Sequence, residues 1–444
     1  MPLPVYNAEQ YFETVKLSPL AGYEAEREQV RLIIDAVRRR GDAALREFAQ
    51  RYDGVSLESF LVTEAEFAAA EAAVPAELKN ALGQARDNIE RFHRRQLASS
   101  WWEAGPGYII GQRVKPLRSV GAYVPGGRAA YPSSVLMTVV PARVAGVEQI
   151  IVATPPGPEG KVNALTLLAA RIAGATGVYK IGGAQAIAAL AFGTESVPAV
   201  QKIVGPGNLY VTLAKQQLFG QVGIDALAGP SEVLIVADDG AKPAFIAADL
   251  LAQAEHDPLA RPLLVTCSRR LAEAVKTELR RQLDGLPRRE IAARALKEQG
   301  AVILVDTLAE AWPVVNRIAP EHLELHLADA WRYLDCIENA GAIFIGPYTP
   351  ESLGDYWAGS NHVLPTGGAA RYASPLGVAD YMKISHVLSY TAEALREAAP
   401  SIEILAEAES LAGHARAVTI RGDENGAESQ SGADNPGDGG KPGA

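Results

Sequence analysis

The sequence predicts an α/β fold, with parallel sheets covered by helices and two α/β units that divide near Pro230. Three observations support this prediction. Short β-branched runs alternate with Ala- and Leu-rich helical stretches from Ser119 onward, which is the rhythm of βαβ units. The same rhythm starts again after Pro230. The first hundred residues, by contrast, show only helical periodicity.

The N-terminal hundred residues are predicted to form amphipathic helices. In 26–51 the apolar residues recur mostly at helical intervals, with one interruption at Gly41-Asp42. The range 67–97 continues in the same style, with charges on its outer face. Neither range contains residues that suggest chemistry, so we interpret both as scaffold.

The two βαβ series then follow in order. In the first, predicted strands and helices alternate at 149–153, 162–172, 178–181, 184–192, 202–204 and 209–218. The loop 220–230 separates it from the second series, which runs through 232–237, 243–255, 263–266, 271–283, 301–305, about 308–318 and 342–345. A helix is expected at 392–411. The range 422–444 is rich in glycine and acidic residues and should be disordered, because it has too little apolar surface to offset its ordering entropy.

Composition excludes several classes of protein. The 444 residues are 48% hydrophobic and 21% charged, which is typical of a globular chain with two or three domains. A net charge of −10 disfavours nucleic acid as the main partner. No apolar run approaches the length of a membrane span, and the start lacks the pattern of a secretory signal. With only Cys267 and Cys336, neither a disulfide framework nor a cysteine zinc site is expected, so we expect a soluble cytoplasmic protein.

Glycine-rich turns follow several predicted strands. They lie at 124–127, 181–185 and 205–208. Such turns let backbone N–H groups approach an anion at the start of a helix. None matches the dinucleotide fingerprint G-x-G-x-x-G, and tight turns of a doubly wound sheet explain each of them equally well. Their clustering in one unit makes a nucleotide site a hypothesis.

Two short motifs contain candidate catalytic or metal-binding groups. Gln253 and His256 are three residues apart at a helix end, so both could face one metal ion. Spacing alone favours a capped helix terminus instead. Glu321 and His322 could serve two different proton transfers, or form a solvated pair at a helix start after Pro320, and the sequence alone leaves both open.

The densest polar stretch is 351–362, after the predicted strand 342–345. Ligands collect at the carboxyl ends of strands in open α/β sheets, so we interpret this stretch as functional. It contains Asp355 and His362, and His414 lies beyond the last predicted helix. The other histidines, which lack nearby polar groups in the sequence, are interpreted as structural or exposed: His93, His326 and His386.

With these motifs in place, the chain resembles the histidinol dehydrogenase family. The matching segments are GAYVPGG at 121–127, IGGAQAIAALAFGTESVP at 181–198, GPGN at 205–208, AGPSEVL at 228–234, QAEH at 253–256, APEHLEL at 319–325, GDY…GSNHVLPTGG at 354–368 and EAESLAGHARAVTIR at 407–421. They are long, follow the family's order and cover nearly the whole chain apart from the tail. Small departures around the GDY motif, such as Trp357 and Gly359-Ser360, replace no functional residue.

The resemblance implies two Rossmann-like doubly wound α/β domains with helical N-terminal and C-terminal extensions. The expected divisions are an extension at 1–14, a first domain at 15–122 and 232–376, a second at 123–231, a C-terminal helical segment at 377–421 and the tail at 422–444. The first domain should contain the zinc and catalytic residues, and the second the NAD side. The C-terminal segment should reach the partner subunit of a homodimer with shared active sites.

The resemblance also implies the roles of individual residues. Zinc ligands fall on Gln253, His256, Asp355 and His414, an oxygen and nitrogen set that suits one Zn²⁺ per subunit. The catalytic pair falls on Glu321 and His322. The same four ligands and His322 contact the substrate, together with two further residues, Ser231 and Glu409, and His362 is expected beside them. Cofactor contacts fall on Tyr123, Gln185 and Asn208, and His414 and Glu409 serve the partner's site.

The implied reaction is a zinc- and NAD-dependent oxidation of L-histidinol through L-histidinal to L-histidine. A paralogue resembling sulfopropanediol dehydrogenase, with the same fold but another alcohol substrate, is the alternative. Glu409 separates the two, because a carboxylate can read an imidazole but has no use for a sulfonate. A zinc-bound NAD-sensing subunit without turnover is a further alternative, and the presence of both Glu321 and His322 argues against it.

Overall fold

The computed structural model describes residues 3–15, 22–126 and 130–430. The chain forms two compact units. The first comprises Met1–Leu97 and Pro116–Met382, and the second comprises Ala98–Lys115 and Lys383–Ala444. No helix in the described ranges is both long and apolar enough to cross a membrane.

The strands form three sheets. Their bounds are β1 Val5–Asn7, β2 Trp101–Gly105, β3 Tyr108–Pro116, β4 Ser119–Tyr123, β5 Gln149–Thr154, β6 Gly177–Lys180, β7 Lys202–Val204, β8 Gly223–Ile224, β9 Glu232–Ala237, β10 Arg261–Thr266, β11 Ala301–Leu304, β12 His322–His326, β13 Ala342–Ile345 and β14 Met382–Tyr390. The sheet orders are β6-β5-β4-β7-β8, β1-β11-β10-β9-β12-β13 and β14-β3-β2.

The helices connect and cover these sheets. Their bounds are α1 Ala8–Thr14, α2 Glu24–Arg40, α3 Asp42–Phe48, α4 Glu64–Ala73, α5 Ala76–Arg94, α6 Pro132–Ala145, α7 Ala164–Ala173, α8 Gly183–Phe192, α9 Leu209–Leu218, α10 Pro243–Ala254, α11 Arg269–Leu283, α12 Arg289–Glu298, α13 Leu308–Ile318, α14 Glu351–Tyr356, α15 Ala392–Ala408 and α16 Ala412–Gln430.

The five-stranded sheet is parallel and has helices on both faces. Successive strand residues point to opposite faces, which makes both faces apolar when both are buried. In β5, Ile151 and Ala153 pack with α2, α8 and α9, whereas Ile150 and Val152 pack with α5, α6 and α7. Its order, third-second-first-fourth-fifth in the chain, is that of a Rossmann fold without the sixth strand.

The six-stranded sheet repeats this architecture. From β9 to β13 it has the same relative order, and β1 extends its edge beside β11. Val233 and Ile235 pack with α10, α11 and α12, and Leu234 and Val236 pack with α1 and α13 on the opposite face. The first unit therefore contains two Rossmann-like doubly wound sheets, which confirms the predicted fold class.

The second unit is smaller than the first. Within its described residues, the buried hydrophobic side chains are those of Ala406 and Ala415. β2 and β3 form an antiparallel hairpin, and β14 pairs with the other edge of β3. α15 and α16 pack together, and Thr419 Oγ1 donates a 2.7 Å hydrogen bond to Glu403 Oε1 between them. Large apolar side chains remain exposed on this unit, at Ile384, Leu388, Ile404 and Leu405.

Several elements differ from expectation. Residues 15–122 were assigned to the same domain as 232–376, but α2, α5 and β4 belong to the layers of the five-stranded sheet. The reason is that the apolar stripes of α2 and α5 match the two buried faces of that sheet. The segment 377–421 begins with a short 3-10 helix at Val378–Tyr381 and the strand β14 rather than an α-helix, and α16 continues past 421 to Gln430. Residues 431–444 of the expected disordered tail lie outside the described residues, as does Gly127 of the first glycine turn.

Candidate active site

Glu321 and His322 lie at the amino end of β12, buried beside the first residue of β9. Glu321 Oε2 accepts a 2.9 Å hydrogen bond from the backbone N–H of Glu232. His322 Nδ1 lies 3.0 Å from the carbonyl oxygen of Glu232. One residue, Glu232, therefore holds both side chains through its own backbone. The alternative of a solvated pair at a helix start is wrong, because both residues are buried and His322 begins a strand.

The contact of His322 with a carbonyl fixes its tautomer. A carbonyl oxygen only accepts, so Nδ1 must carry the proton and donate it. Nε2 is buried and has no hydrogen-bond partner among the described residues. Burial lowers the pKa of His322, which outweighs the raising effect of Asp355. The ring is thus expected to be neutral, with its free lone pair on Nε2.

Glu321 is held in an environment that disfavours its charge. Burial raises its pKa well above the usual range, and the negative charges of Glu232 and Asp355 raise it further. Hydrogen bonds from the Glu232 N–H and the Ser231 hydroxyl oppose this effect. When Glu321 is ionised, it is consequently a stronger base than an exposed carboxylate.

A second group of polar side chains lies between the C-terminal end of α10 and the helix α14. α10 ends at Ala254, and Gln253 is fully buried in its last turn. Asp355 and Glu351 are four residues apart on α14, so they share a face. The ligand atoms of His256, Glu351 and Asp355 all lie within 4.8 Å of one another.

This group fits a zinc ion chemically. It offers one imidazole nitrogen and carboxylate oxygens, and the amide of Gln253 lies beside it. With its amide nitrogen facing Glu351, Gln253 donates to both carboxylate oxygens, at 3.1 and 3.3 Å. That orientation leaves the Gln253 oxygen as the free ligand atom. Burial raises the pKa of Glu351 well above its usual range, with Asp355 adding to the effect.

His362 lies next to this group. Its Nδ1 is 3.7 Å from Asp355 Oδ1, and its Nε2 is 3.4 Å from Ser134 Oγ. Burial lowers the pKa of His362 despite the nearby Asp355 charge. The structure thus places His362 beside Asp355, one of the predicted zinc ligands.

The two residues predicted to serve the partner's site, Glu409 and His414, lie in the second unit. Glu409 follows the end of α15, and His414 lies in the first turn of α16. Ser410, between the two helices, has a φ of +60°, and its backbone conformation makes the sharp turn. Both Glu409 and His414 are exposed on this unit.

The predicted cofactor residues lie at the carboxyl ends of strands of the five-stranded sheet. Tyr123 ends β4, and its hydroxyl accepts a 3.0 Å hydrogen bond from Gly183 N at the start of α8. Gln185 is buried in the first turn of α8, and Asn208 caps α9 by accepting from Val211 N at 3.2 Å. Burial raises the pKa of Tyr123 to about 12, so its hydroxyl stays protonated.

Gly205 brings the neighbouring strand ends of this sheet close together. It has a φ of +104°, and a side chain there would collide with the carbonyl of Tyr123. β4 and β7 are adjacent at the point where the strand order reverses, which is where doubly wound sheets bind ligands. The turn at Gly205 therefore lies at the edge of the sheet where doubly wound folds bind ligands.

The predicted catalytic pair, however, does not lie at the carboxyl ends of the strands, where ligands usually bind in open α/β sheets. Glu321, His322 and Ser231 lie at the amino ends of their strands, where β12 pairs with β9 and β13. Gln253 joins them because α10 runs back across the sheet after β9 and ends at this edge. The stretch 351–362 reaches the site in the same way, by returning from the carboxyl end of β13 through α14.

Three acidic residues and one histidine were missed as parts of polar clusters: Glu232, Asp249, Glu324 and His326. Glu232 contacts both Glu321 and His322. His326 was interpreted as lacking a polar environment, but its Nε2 is 3.3 Å from Glu324 Oε2 and 3.6 Å from Asp249 Oδ2. The alternation of polar and apolar residues in 322–326 was the available signal, because it places His322, Glu324 and His326 on one face of a strand.

Comparisons with known proteins agree over most of the chain. A family model described as histidinol dehydrogenase matches residues 20–422. The histidinol dehydrogenase of Moorella thermoacetica is 55% identical over 396 residues, 88% of this chain and 93% of that protein. That of Bacillus subtilis is 49% identical over 409 residues, 92% and 96% of the two chains. The crystal structure of the Elizabethkingia anophelis histidinol dehydrogenase superposes with a TM-score of 0.88 at 38% identity, covering 92% of this chain and 94% of that one.

Proposed function

Because the chain belongs to the histidinol dehydrogenase family, we propose that it oxidises L-histidinol through L-histidinal to L-histidine, with zinc and NAD⁺. One molecule of histidinol, two NAD⁺ and one water give histidine, two NADH and protons. The observation that carries the proposal is His322, a buried neutral imidazole with a free Nε2, beside a zinc-compatible group. Such an imidazole is a base suited to taking a proton from an alcohol.

Zinc would be held by Gln253, His256, Asp355 and His414 of the partner subunit. When bound, zinc orients the substrate's amine and ring, and NAD⁺ accepts hydride. Tyr123, Gln185 and Asn208 would contact NAD⁺ at the glycine turns. Ser231 and Glu409 of the partner subunit would contact the substrate, with Glu409 facing the second ring nitrogen.

The protein's own groups then handle the protons. In the first oxidation, His322 Nε2 takes the hydroxyl proton of histidinol as the carbon gives up its hydride. In the second, Glu321 takes a proton from a water molecule while the water oxygen adds to the aldehyde carbon. His322, having released its first proton, takes one from the resulting hydrate as the second hydride leaves. A single imidazole base can therefore serve both oxidations.

We also propose that the protein is a cytoplasmic homodimer. The exposed apolar residues of the second unit support an interface, since 67% of Ile404 and 69% of Leu388 is accessible in the single chain. The two unpaired cysteines, Cys267 and Cys336, fit a reducing compartment.

The test is the stoichiometry of turnover. Purified protein should contain about one zinc per chain and form two NADH for each L-histidinol consumed. A chelator should abolish turnover, and added Zn²⁺ should restore it. One NADH per substrate, or full turnover by metal-free protein, would contradict the proposal.

A further inference from the structure

We propose that the buried ion pair of Glu232 and Arg261 is a positioning device for Glu321 and His322, an inference that rests on the proposed function. Both catalytic candidates are held by the backbone of Glu232, through its N–H at 2.9 Å and its carbonyl at 3.0 Å. Any rotation of this backbone would move Glu321 and the Nδ1 proton of His322 together. The orientation of a single residue thus decides where two reacting groups lie.

The side chain of Glu232 is fixed at both oxygens. Oε2 accepts a 2.6 Å hydrogen bond from Arg261 Nη1, and Oε1 accepts a 2.9 Å hydrogen bond from Gly367 N. Only 1% of the Glu232 side chain and 12% of the Arg261 side chain are accessible. Because Glu232 and Arg261 are also register partners on β9 and β10, backbone and side chain are fixed by the same neighbour.

The pair is anchored a second time from the N-terminal extension. Arg261 Nη2 donates a 2.7 Å hydrogen bond to the hydroxyl of Tyr11, which is fully buried in α1. The guanidinium therefore bridges a carboxylate and a phenol with two separate N–H groups. A lysine has a single nitrogen and cannot reproduce this planar geometry.

Stability alone is a weak reason for such a pair. Buried ion pairs contribute little compared with well-packed apolar residues of similar volume, because desolvation offsets their attraction. Their clearest benefit is a defined geometry. Burial is the main cause of the raised pKa of Glu321, and the Glu232 charge adds to it. Glu232 therefore acts on Glu321 through a hydrogen bond that positions it and through its charge.

The experiment compares four variants in the metal-loaded full-length protein: Arg261→Met, Arg261→Lys, Tyr11→Phe and the control Tyr6→Phe. Arg261→Met should lower kcat by about 100-fold, as expected for small misplacement of reacting groups. The KM for histidinol and the zinc content should stay near wild type. Arg261→Lys should recover part of kcat. Tyr11→Phe should lower kcat less than Arg261→Met does, and Tyr6→Phe should leave kcat unchanged.

An unchanged kcat in folded Arg261→Met overturns the proposal. If that variant does not fold, Tyr11→Phe decides, and an unchanged kcat there overturns the proposal as well.

A readout without turnover separates positioning from a merely structural role. The chain has seven histidines, so the ring-nitrogen NMR signals of His322 can be assigned with a His322→Gln variant. Wild type should show the proton on Nδ1, and Arg261→Met should show a mixture of tautomers. An unchanged tautomer overturns the proposal. If wild type makes no NADH from histidinol, the proposed function fails, whereas the tautomer measurement still tests the positioning of His322.

Discussion

At His322, one hydrogen bond decides which ring nitrogen can act. The carbonyl of Glu232 binds the Nδ1 proton, and Nε2 keeps its lone pair in a buried place without another partner among the described residues. Glu321, its neighbour, has a different environment because like charges surround it. Two adjacent residues thus acquire different acid–base properties, which suits them to different proton transfers.

The first prediction separates those two roles. Glu321→Gln keeps the size of the side chain but removes the base that would activate water. Oxidation of histidinol to the aldehyde should continue, whereas oxidation of the aldehyde should fall by about 100- to 10,000-fold, the usual contribution of a general base. The measurement is NADH formation from each substrate separately. His322→Asn serves as the comparison and should damage both steps. Equal losses in both steps of Glu321→Gln would refute the division.

The second prediction concerns Glu351, which orients the Gln253 amide. Glu351→Ala should weaken zinc binding by about 10- to 100-fold, since Gln253 would be free to turn its nitrogen toward the metal. Glu351→Gln is the matched control, because its amide oxygen can still accept from Gln253. Zinc content after equilibration in metal buffers measures both variants. If the two lose zinc equally, Glu351 is a ligand rather than an orienting group, and unchanged zinc in Glu351→Ala would exclude both roles.

At the scale of single elements, β12 connects two polar clusters. His322 lies at its start, and Glu324 and His326 follow on the same face. Glu324 Oε1 accepts a 2.8 Å hydrogen bond from the backbone N–H of Glu351, the first residue of α14. Asp249 of α10 completes the second cluster with Glu324 and His326. The elements that carry the proposed zinc ligands are therefore linked through one strand.

The third prediction tests this cluster through the pH dependence of stability. Burial, with the nearby Glu324 charge, raises the pKa of Asp249 from 3.8 to about 8. Folded Asp249 therefore holds a proton that the unfolded chain has already lost, and this contribution to stability disappears as pH rises from about 4 to 8. Asp249→Asn removes the titration. The variant should gain stability relative to wild type between pH 5 and pH 8, as measured by urea unfolding at both values. A difference that does not change with pH would contradict the assigned pKa shift.

β12 also shows a limit of secondary-structure prediction from this sequence. The βαβ periodicity predicted most strands and helices of the two doubly wound sheets, because each buried strand is a continuous apolar run. β12 was missed because its polar residues at 322, 324 and 326 interrupt the apolar run that is typical of a buried strand. Pro320 also suggested the start of a helix. The hairpin of β2 and β3 was missed because its residues, WWEAG and YIIGQRVKP, do not alternate between apolar and polar side chains.

Site residues were predicted unevenly for a related reason. Glu321, His322 and Asp355 stand in recognisable motifs, and the resemblance supplied their roles. Glu232 contacts Glu321 and His322 through its backbone, which every residue type has. Its identity therefore gives no sign of these contacts in the sequence. Its partner Arg261 lies in another strand, so only the register of β9 and β10 reveals the pair.

On the scale of the whole molecule, the proposed active site needs residues from both units. Gln253, His256 and Asp355 belong to the first unit, and Glu409 and His414 belong to the second. In the proposed homodimer, each site takes its last two residues from the partner subunit. The proposal therefore makes the dimer a requirement for catalysis as well as a cover for the exposed apolar residues of the second unit.

The fourth prediction tests this sharing by mixing inactive variants. His256→Asn and His414→Asn should each be inactive. In a mixed dimer, one site carries both lesions and the other carries neither, so up to half the wild-type activity should return after co-refolding. A mixture of His256→Asn with Asp355→Asn is the control and should stay inactive, because both residues come from the same subunit of a site. Failure to recover activity in proven mixed dimers would assign all four ligands to one chain.

The order of β14, β3 and β2 in the third sheet has a consequence for synthesis on the ribosome. β2 and β3 emerge early, but β14, the partner of the other edge of β3, follows only after residues 117–381 have been made. Throughout that time the edge of β3 is an unpaired strand that can add to a strand of another nascent chain. The five-stranded parallel sheet avoids this delay, because its strands β4 to β8 all lie within residues 119–224. Newly made copies of this protein are thus vulnerable to misassembly at 108–116 until β14 has been made.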